Sequence, residues 1–256
     1  MIAMQKVCFV SVLVLYFCLS LPFVHAQEIT VLMNKGDTLW LVGTDPDRAS
    51  KAIASYEKVL ELDPDNYEAL WKIARSYFVM GDSLPETKEF KGRHKECGEK
   101  GMSYAGRALE VNPLGLEGHY YYGLSIAQYS IGISIIKALV KGLGPEYEKH
   151  IGKALEINKL YDTAGPLRAM GRYWYMLPWP KRDIAKSITY LKEAEAAAPL
   201  SIRGHVYLAE SYLKGGKKDL AREQLKKAVE TKEDMKREYD GRRWKERAQE
   251  LLEQHF

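Results

Sequence analysis

Leu191-Lys192-Glu193-Ala194-Glu195-Ala196-Ala197-Ala198-Pro199 and Leu225-Lys226-Lys227-Ala228-Val229-Glu230 read as two copies of one helix end, an apolar stripe carrying a small residue. Between them lies Leu208-Ala209-Glu210-Ser211-Tyr212, a second helix with a small residue beside an aromatic one. Ala194 and Ala228 are 34 residues apart. Paired helices recur at that period in stacked helical repeats, where small residues let the two helices cross closely.

The same ending recurs upstream. It appears as Tyr56-Glu57-Lys58-Val59-Leu60-Glu61-Leu62-Asp63-Pro64, as Gly106-Arg107-Ala108-Leu109-Glu110-Val111-Asn112-Pro113, and without proline as Ile151-Gly152-Lys153-Ala154-Leu155-Glu156-Ile157-Asn158. First helices precede three of the five endings at Ile73-Ala74-Arg75-Ser76-Tyr77, Tyr122-Gly123-Leu124 and Met170-Gly171-Arg172-Tyr173-Trp174. The chain resembles the tetratricopeptide repeat. The longer intervals, 49 from Val59 to Ala108, 46 from Ala108 to Ala154 and 40 from Ala154 to Ala194, imply insertions near 82–98, 132–144 and 177–180. Residues 28–43 match a first helix poorly, as terminal repeats do. Residues 235–254, with Trp244, Ala248, Leu251 and Leu252 on one face, read as a capping helix. The expectation is an all-α, tetratricopeptide-like helical-hairpin solenoid of about five helix pairs, with insertions and a C-terminal cap.

Residues 1–26 fall outside that fold. A weakly basic start, an apolar stretch at 7–21, Pro22 and then Val24-His25-Ala26 form a cleavable secretory signal. Residues 27–256 are then one solenoid domain, exported and soluble, which in a bacterium means the periplasm. Cleavage removes Cys8 and Cys18, and Phe17 stands where lipidation of Cys18 needs a small residue. Cys97 remains as a plain thiol.

Composition narrows function. Of 256 residues 46% are hydrophobic, and 38 basic against 34 acidic residues give a net charge of +4, which excludes disorder and gives no push toward nucleic acid. No CxxC, HExxH, GxSxG, phosphate-binding loop or dinucleotide fingerprint occurs, so neither an enzyme nor a metal or cofactor site is expected. The histidines look scattered. Asp183 reads as an N-cap.

The stretch Tyr161-Asp162-Thr163-Ala164-Gly165-Pro166-Leu167-Arg168-Ala169-Met170-Gly171-Arg172-Tyr173, running into Leu177-Pro178-Trp179-Pro180-Lys181-Arg182-Asp183, resembles the T-component proteins of tripartite ATP-independent periplasmic (TRAP) transporters. That resemblance implies a non-enzymatic accessory protein that forms trimers, docks a periplasmic substrate-binding protein and carries an apolar-lined ligand cleft. His119-Tyr120-Tyr121-Tyr122-Gly123 and Ala154-Leu155-Glu156-Ile157-Asn158 are similar to the regulator of microtubule dynamics proteins of eukaryotes. The secretion signal weighs toward the transporter family.

In such a solenoid the first helix of each pair lines the concave face. Counting from the small residues places Glu68, Trp71, Arg75 and Phe78 inward, then Glu117, Tyr120, Leu124 and Ala127. Arg168, Arg172 and Tyr175 follow, and then Arg203, Val206, Glu210 and Leu213. Aromatic walls with four arginines suit an amphiphilic organic acid, a hydrophobic ligand or a partner's carboxylate, since a guanidinium binds carboxylates bidentately. Alternatively the arginines pair with Glu68, Glu117 and Glu210 and tie repeats together. Tyr120, Tyr121 and Tyr122 are consecutive and point to different faces. The cationic insertion at 132–144 has apolar residues to bury against the solenoid, a partner or a ligand. Trp179 is either a lid or a staple, and 88–100 a solvated helix face. Two functions follow: a transport component, or a general extracytoplasmic scaffold for protein–protein interaction.

Overall fold

The computed structural model describes residues 26–40, 46–234 and 238–256. The signal segment, apart from Ala26, lies outside them. The described residues form twelve helices and no strand: α1 (26–40), α2 (Pro46–Leu62), α3 (Tyr67–Asp82), α4 (Lys91–Val111), α5 (Leu116–Ile133), α6 (Ile135–Val140), α7 (Leu143–Asn158), α8 (Tyr161–Met176), α9 (Ile184–Ala197), α10 (Ile202–Lys214), α11 (Lys218–Glu230) and α12 (Gly241–His255). The five pairs are α1/α2, α3/α4, α5/α7, α8/α9 and α10/α11, with α6 inserted and α12 as the cap.

Local chemistry sets several boundaries. Asn66, Asp183 and Ser201 accept from the backbone N–H groups of Ala69, Lys186 and Gly204 and start α3, α9 and α10, satisfying donors that a helix start leaves open. Where α4 crosses α5, a Cβ on Gly98 would fall on the backbone of Tyr129, and one on Gly132 on that of Lys95. No other residue permits that approach.

Each insertion takes a definite form. The first is the loop 83–90 plus a lengthened α4, on which Lys91, Arg93 and Lys95 are exposed as expected. His94 departs from the solvated face: it is buried, its Nε2 3.0 Å from the Pro85 carbonyl and its Nδ1 against Gln128. The second insertion is α6. The third is the turn at 177–183, where Trp179 is 85% exposed and staples nothing. The cap α12 starts at Gly241, six residues later than expected, because Glu238 and Asp240 are drawn into the concave face and buried.

Histidines also fasten two inter-repeat turns. In Pro113-Leu114-Gly115-Leu116-Glu117-Gly118-His119 and Pro199-Leu200-Ser201-Ile202-Arg203-Gly204-His205, the histidine Nε2 lies 3.0 and 2.9 Å from the carbonyl of its own Pro113 or Pro199. Nδ1 reaches the pair's second helix, at His150 Nδ1 (2.9 Å) in the third pair and Gln224 Oε1 (2.7 Å) in the fifth.

Apolar burial forms two main bodies. One runs from α3 to α8 around Ala74, Tyr121, Ile151 and Met170, and the other from α9 to α12 around Leu191, Leu208, Leu225 and Leu251. Among the described residues no helix is long and apolar enough to cross a membrane.

Candidate functional site

The concave face lines a cavity of about 970 Å³, within the range of small-ligand and peptide side-chain pockets. One side is apolar: Phe78 on α3, Leu124 and Ile131 on α5, Ile135 and Leu139 on α6, Leu143 on α7 and Met176 on α8. Helix α6 therefore turns one apolar edge toward the cavity, with Ala138 buried, while Ile136 and Val140 on its other edge are exposed. The insertion packs inward and keeps an outward apolar face.

The opposite side is ionic. Arg168 donates to Ser201 Oγ (2.9 Å), Glu238 Oε1 (3.2 Å) and the Asp162 carbonyl (2.9 Å). Arg172 donates to Glu210 Oε2 at 2.5 Å. Arg203 donates to Asp82 Oδ2 at 2.8 Å, to Tyr239 Oη at 3.1 Å and to Asp240. Burial opposes charge on all three guanidiniums, yet the facing carboxylates hold each above the ordinary arginine range. Burial would likewise raise the Asp82 carboxyl, but Arg203 and Arg243 hold it low.

Six of the nine expected groove residues, Phe78, Tyr120, Leu124, Arg168, Arg172 and Arg203, line this one cavity. Trp71, Arg75 and Tyr175 do not. Trp71 stacks on Tyr121 with ring centroids 5.9 Å apart, and the Arg75 guanidinium lies 4.0 Å from the Trp40 ring and 5.0 Å from that of Trp71. Tyr175 is covered by Arg172 and Lys214. The pairing expectation holds in kind but its partners change. Glu210 does pair with Arg172, whereas Glu68 pairs with Lys72 (2.6 Å) and Glu117 accepts from the Tyr67 hydroxyl (2.9 Å). The other partners are Asp82, Asp162, Glu238 and Asp240. Arg168, Arg172 and Arg203 each have at least one carboxylate partner within the cavity wall.

Beside this wall the backbone is strained. Asp162, Thr163 and Ala164 have φ of 50°, 57° and 58°, a left-handed turn costly for residues with a Cβ. Tyr120 donates to Asp162 Oδ2 at 2.8 Å and Arg168 to the Asp162 carbonyl, holding that turn against the cavity.

Glu238, Tyr239, Asp240 and Arg243 were invisible to repeat counting because they follow the last repeat. The histidine latches did leave a signal, the twice-written Pro-Leu-x-x-x-Gly-His. Among the described residues no cluster of three or more metal-binding side chains occurs.

Residues 32–255 match the family model "Regulator of microtubule dynamics protein 1-3". The chain belongs to this family. The assignment follows the resemblance of the central repeats, not the transporter resemblance of 161–183. Within that block Gly171 packs on Leu191, and Arg168 and Arg172 form ion pairs with Glu238 and Glu210. Curated relatives include regulator of microtubule dynamics protein 3 from Xenopus laevis, 25% identical over 80% of this chain and 46% of the relative. Its Bos taurus counterpart is 26% identical over 81% of this chain and 46% of the relative. The chain thus spans about half the length of these relatives.

Solved structures with the same fold include TTC0263, a thermophilic TPR protein of Thermus thermophilus (TM-score 0.64, 20% identity, covering 88% of this chain and 99% of that one). Another is Pseudomonas aeruginosa PilF (TM-score 0.58, 11% identity, 90% and 92%). The tetratricopeptide-like solenoid is thereby shown.

Proposed function

We propose that this chain is a non-enzymatic scaffold that holds an apolar segment of a partner protein in its concave cavity. The observation that carries this is the cavity's division into an apolar side, walled partly by an insertion the repeat does not need, and a wall of arginines and carboxylates paired with one another. Burying apolar side chains there gains about 25 cal/mol per Å², whereas an anionic group must displace Asp82, Glu238 or Asp240 from their guanidiniums. An amphiphile with its chain among Phe78, Leu124 and Leu139 fits the same volume. Leu124→Asp tests the reading: partner capture, by pull-down of the exported protein with mass spectrometry of bound proteins and extracted small molecules, is lost while the melting curve stays cooperative. Unchanged capture refutes it.

The narrower reading, an accessory protein of a TRAP-type system that docks a substrate-binding protein as a trimer, is supported by the 161–183 block and the leader. Recovery of such a binding protein in the pull-down, with a trimer by sedimentation, is its test. Export is part of both readings and requires the mature protein to begin at Gln27, which N-terminal sequencing checks.

A further inference from the structure

The solenoid is bent until its ends meet, and the meeting point is narrow. Asp82, the last residue of α3, accepts from Arg203 on α10 (2.8 Å), from the Tyr239 hydroxyl (2.7 Å) and from Arg243 on α12 (3.0 Å). Its backbone carbonyl takes a further bond from Arg243. These partners lie 121, 157 and 161 residues along the chain. Across the same seam Trp40 of α1 meets Tyr239, with ring centroids 6.2 Å apart. The main helix packing lies elsewhere, α3 on α2, α4 and α5 and α12 on α10 and α11, while Trp40 and Tyr239 rest on the edge of the α3–α8 apolar body. The two main apolar bodies also meet through α8, which packs on α9 and α10. Asp82, Arg203, Tyr239 and Arg243 all line the cavity, so this seam is part of its wall.

We infer that Asp82 is the gate of the cavity: its bonds to Arg203, Tyr239 and Arg243 latch the two ends of the solenoid together, and the cavity fills when that latch parts. The inference rests on the cavity being the binding site. A seam made of one carboxylate, its donors and one ring contact has two discrete states, whereas packed helices do not part side chain by side chain. If only the parted state admits an occupant, the rate of filling scales with its population. Loss of the carboxylate charge also leaves Asp240 as the remaining carboxylate shared by Arg203 and Arg243, so the parted state gains at the expense of the closed one.

The test places spin labels at Glu86→Cys on the 83–90 loop and Glu246→Cys on α12, both exposed, in the full chain with Cys97→Ser. Distance distributions are then measured by pulsed dipolar spectroscopy. Asp82→Asn and, from the other side of the seam, Arg243→Gln lengthen and broaden the distribution, while Glu193→Gln, which breaks an exposed pair with Lys159, leaves it unchanged. In stopped flow, both seam variants take up the uncharged dye Nile red roughly tenfold faster than the parent. Unchanged distances in either seam variant that still melts cooperatively overturn the latch. Lengthened distances with an unchanged entry rate overturn the gate. Dye bound by no variant refutes the cavity reading of the preceding section, and the distances alone then decide whether the latch exists.

Discussion

The turns entering the third and fifth helix pairs carry the same Pro-Leu-x-x-x-Gly-His formula and the same bond from histidine to proline carbonyl, yet they end on different partners. In the fifth pair both nitrogens of His205 face oxygens, those of Pro199 and Gln224, and the Glu195 carboxylate lies 3.9 Å away. In the third pair His119 gives its Nε2 proton to the Pro113 carbonyl, so its Nδ1 must accept, and His150 donates to it. A proton added to His119 Nδ1 sets two N–H donors face to face at 2.9 Å and breaks that bond, and a second proton sets two cations side by side. Burial first, and then His119, push the His150 pKa down to about 4, and burial lowers that of His119 as well. The acid sensitivity of the third turn is thus set by what its second helix brings to it.

The comparison breaks most severely if either latch is cut. His119→Ala and His205→Ala each leave a buried carbonyl and a second-helix polar group unpaired and open a void, which costs about 3 kcal/mol. Equal losses in urea melts at pH 7 show that the two turns do the same structural work. A loss below about 1 kcal/mol in either shows that its bonds are incidental.

Acid separates the turns. In the folded protein the His150 pKa is lowered, so between pH 6.5 and about 4 the unfolded chain binds more protons and stability falls as pH drops. The loss is about 2 kcal/mol, after discounting the full shift for solvent screening. His150→Gln gives the third turn the fifth turn's partner and removes most of that slope. A slope unchanged by His150→Gln places the acid sensitivity elsewhere.

The reverse exchange is smaller. Gln224→His costs about 1 kcal/mol at pH 7, through the lost bond to Glu195, and adds a new acid-dependent loss below pH 6. Absence of that new loss would show that the Glu195 carboxylate neutralises a second imidazolium.

How much of the molecule could be read in advance varies along the chain in step with contact range. The α10/α11 pair, with Ala194, Ala209, Tyr212, Ala221 and Leu225 at repeat spacing, was legible in full because its helices form from neighbouring residues. Phe78, Tyr120, Leu124, Arg168, Arg172 and Arg203 were legible as inward-facing, since a helix's period fixes which side chains share a face. Their partners were not. Glu68 and Glu117 stood closest in the repeat pattern and took other donors, while Asp82, Glu238 and Asp240 lie at a helix end or beyond the repeats.

The sequence by itself determined the paired helices and the inward direction of six of the nine groove side chains, because periodicity, caps and small crossing residues act within one or two turns of chain. Only the tertiary structure decided that the solenoid closes on itself, that Asp82 meets Arg203 and Arg243, and that His119 faces a histidine where His205 faces a glutamine. The physical reason is accumulation. Each repeat adds a small rotation set by its insertions and by close contacts such as Gly98 on Tyr129, and residues 121 to 161 positions apart meet only when those rotations sum to a closed arc.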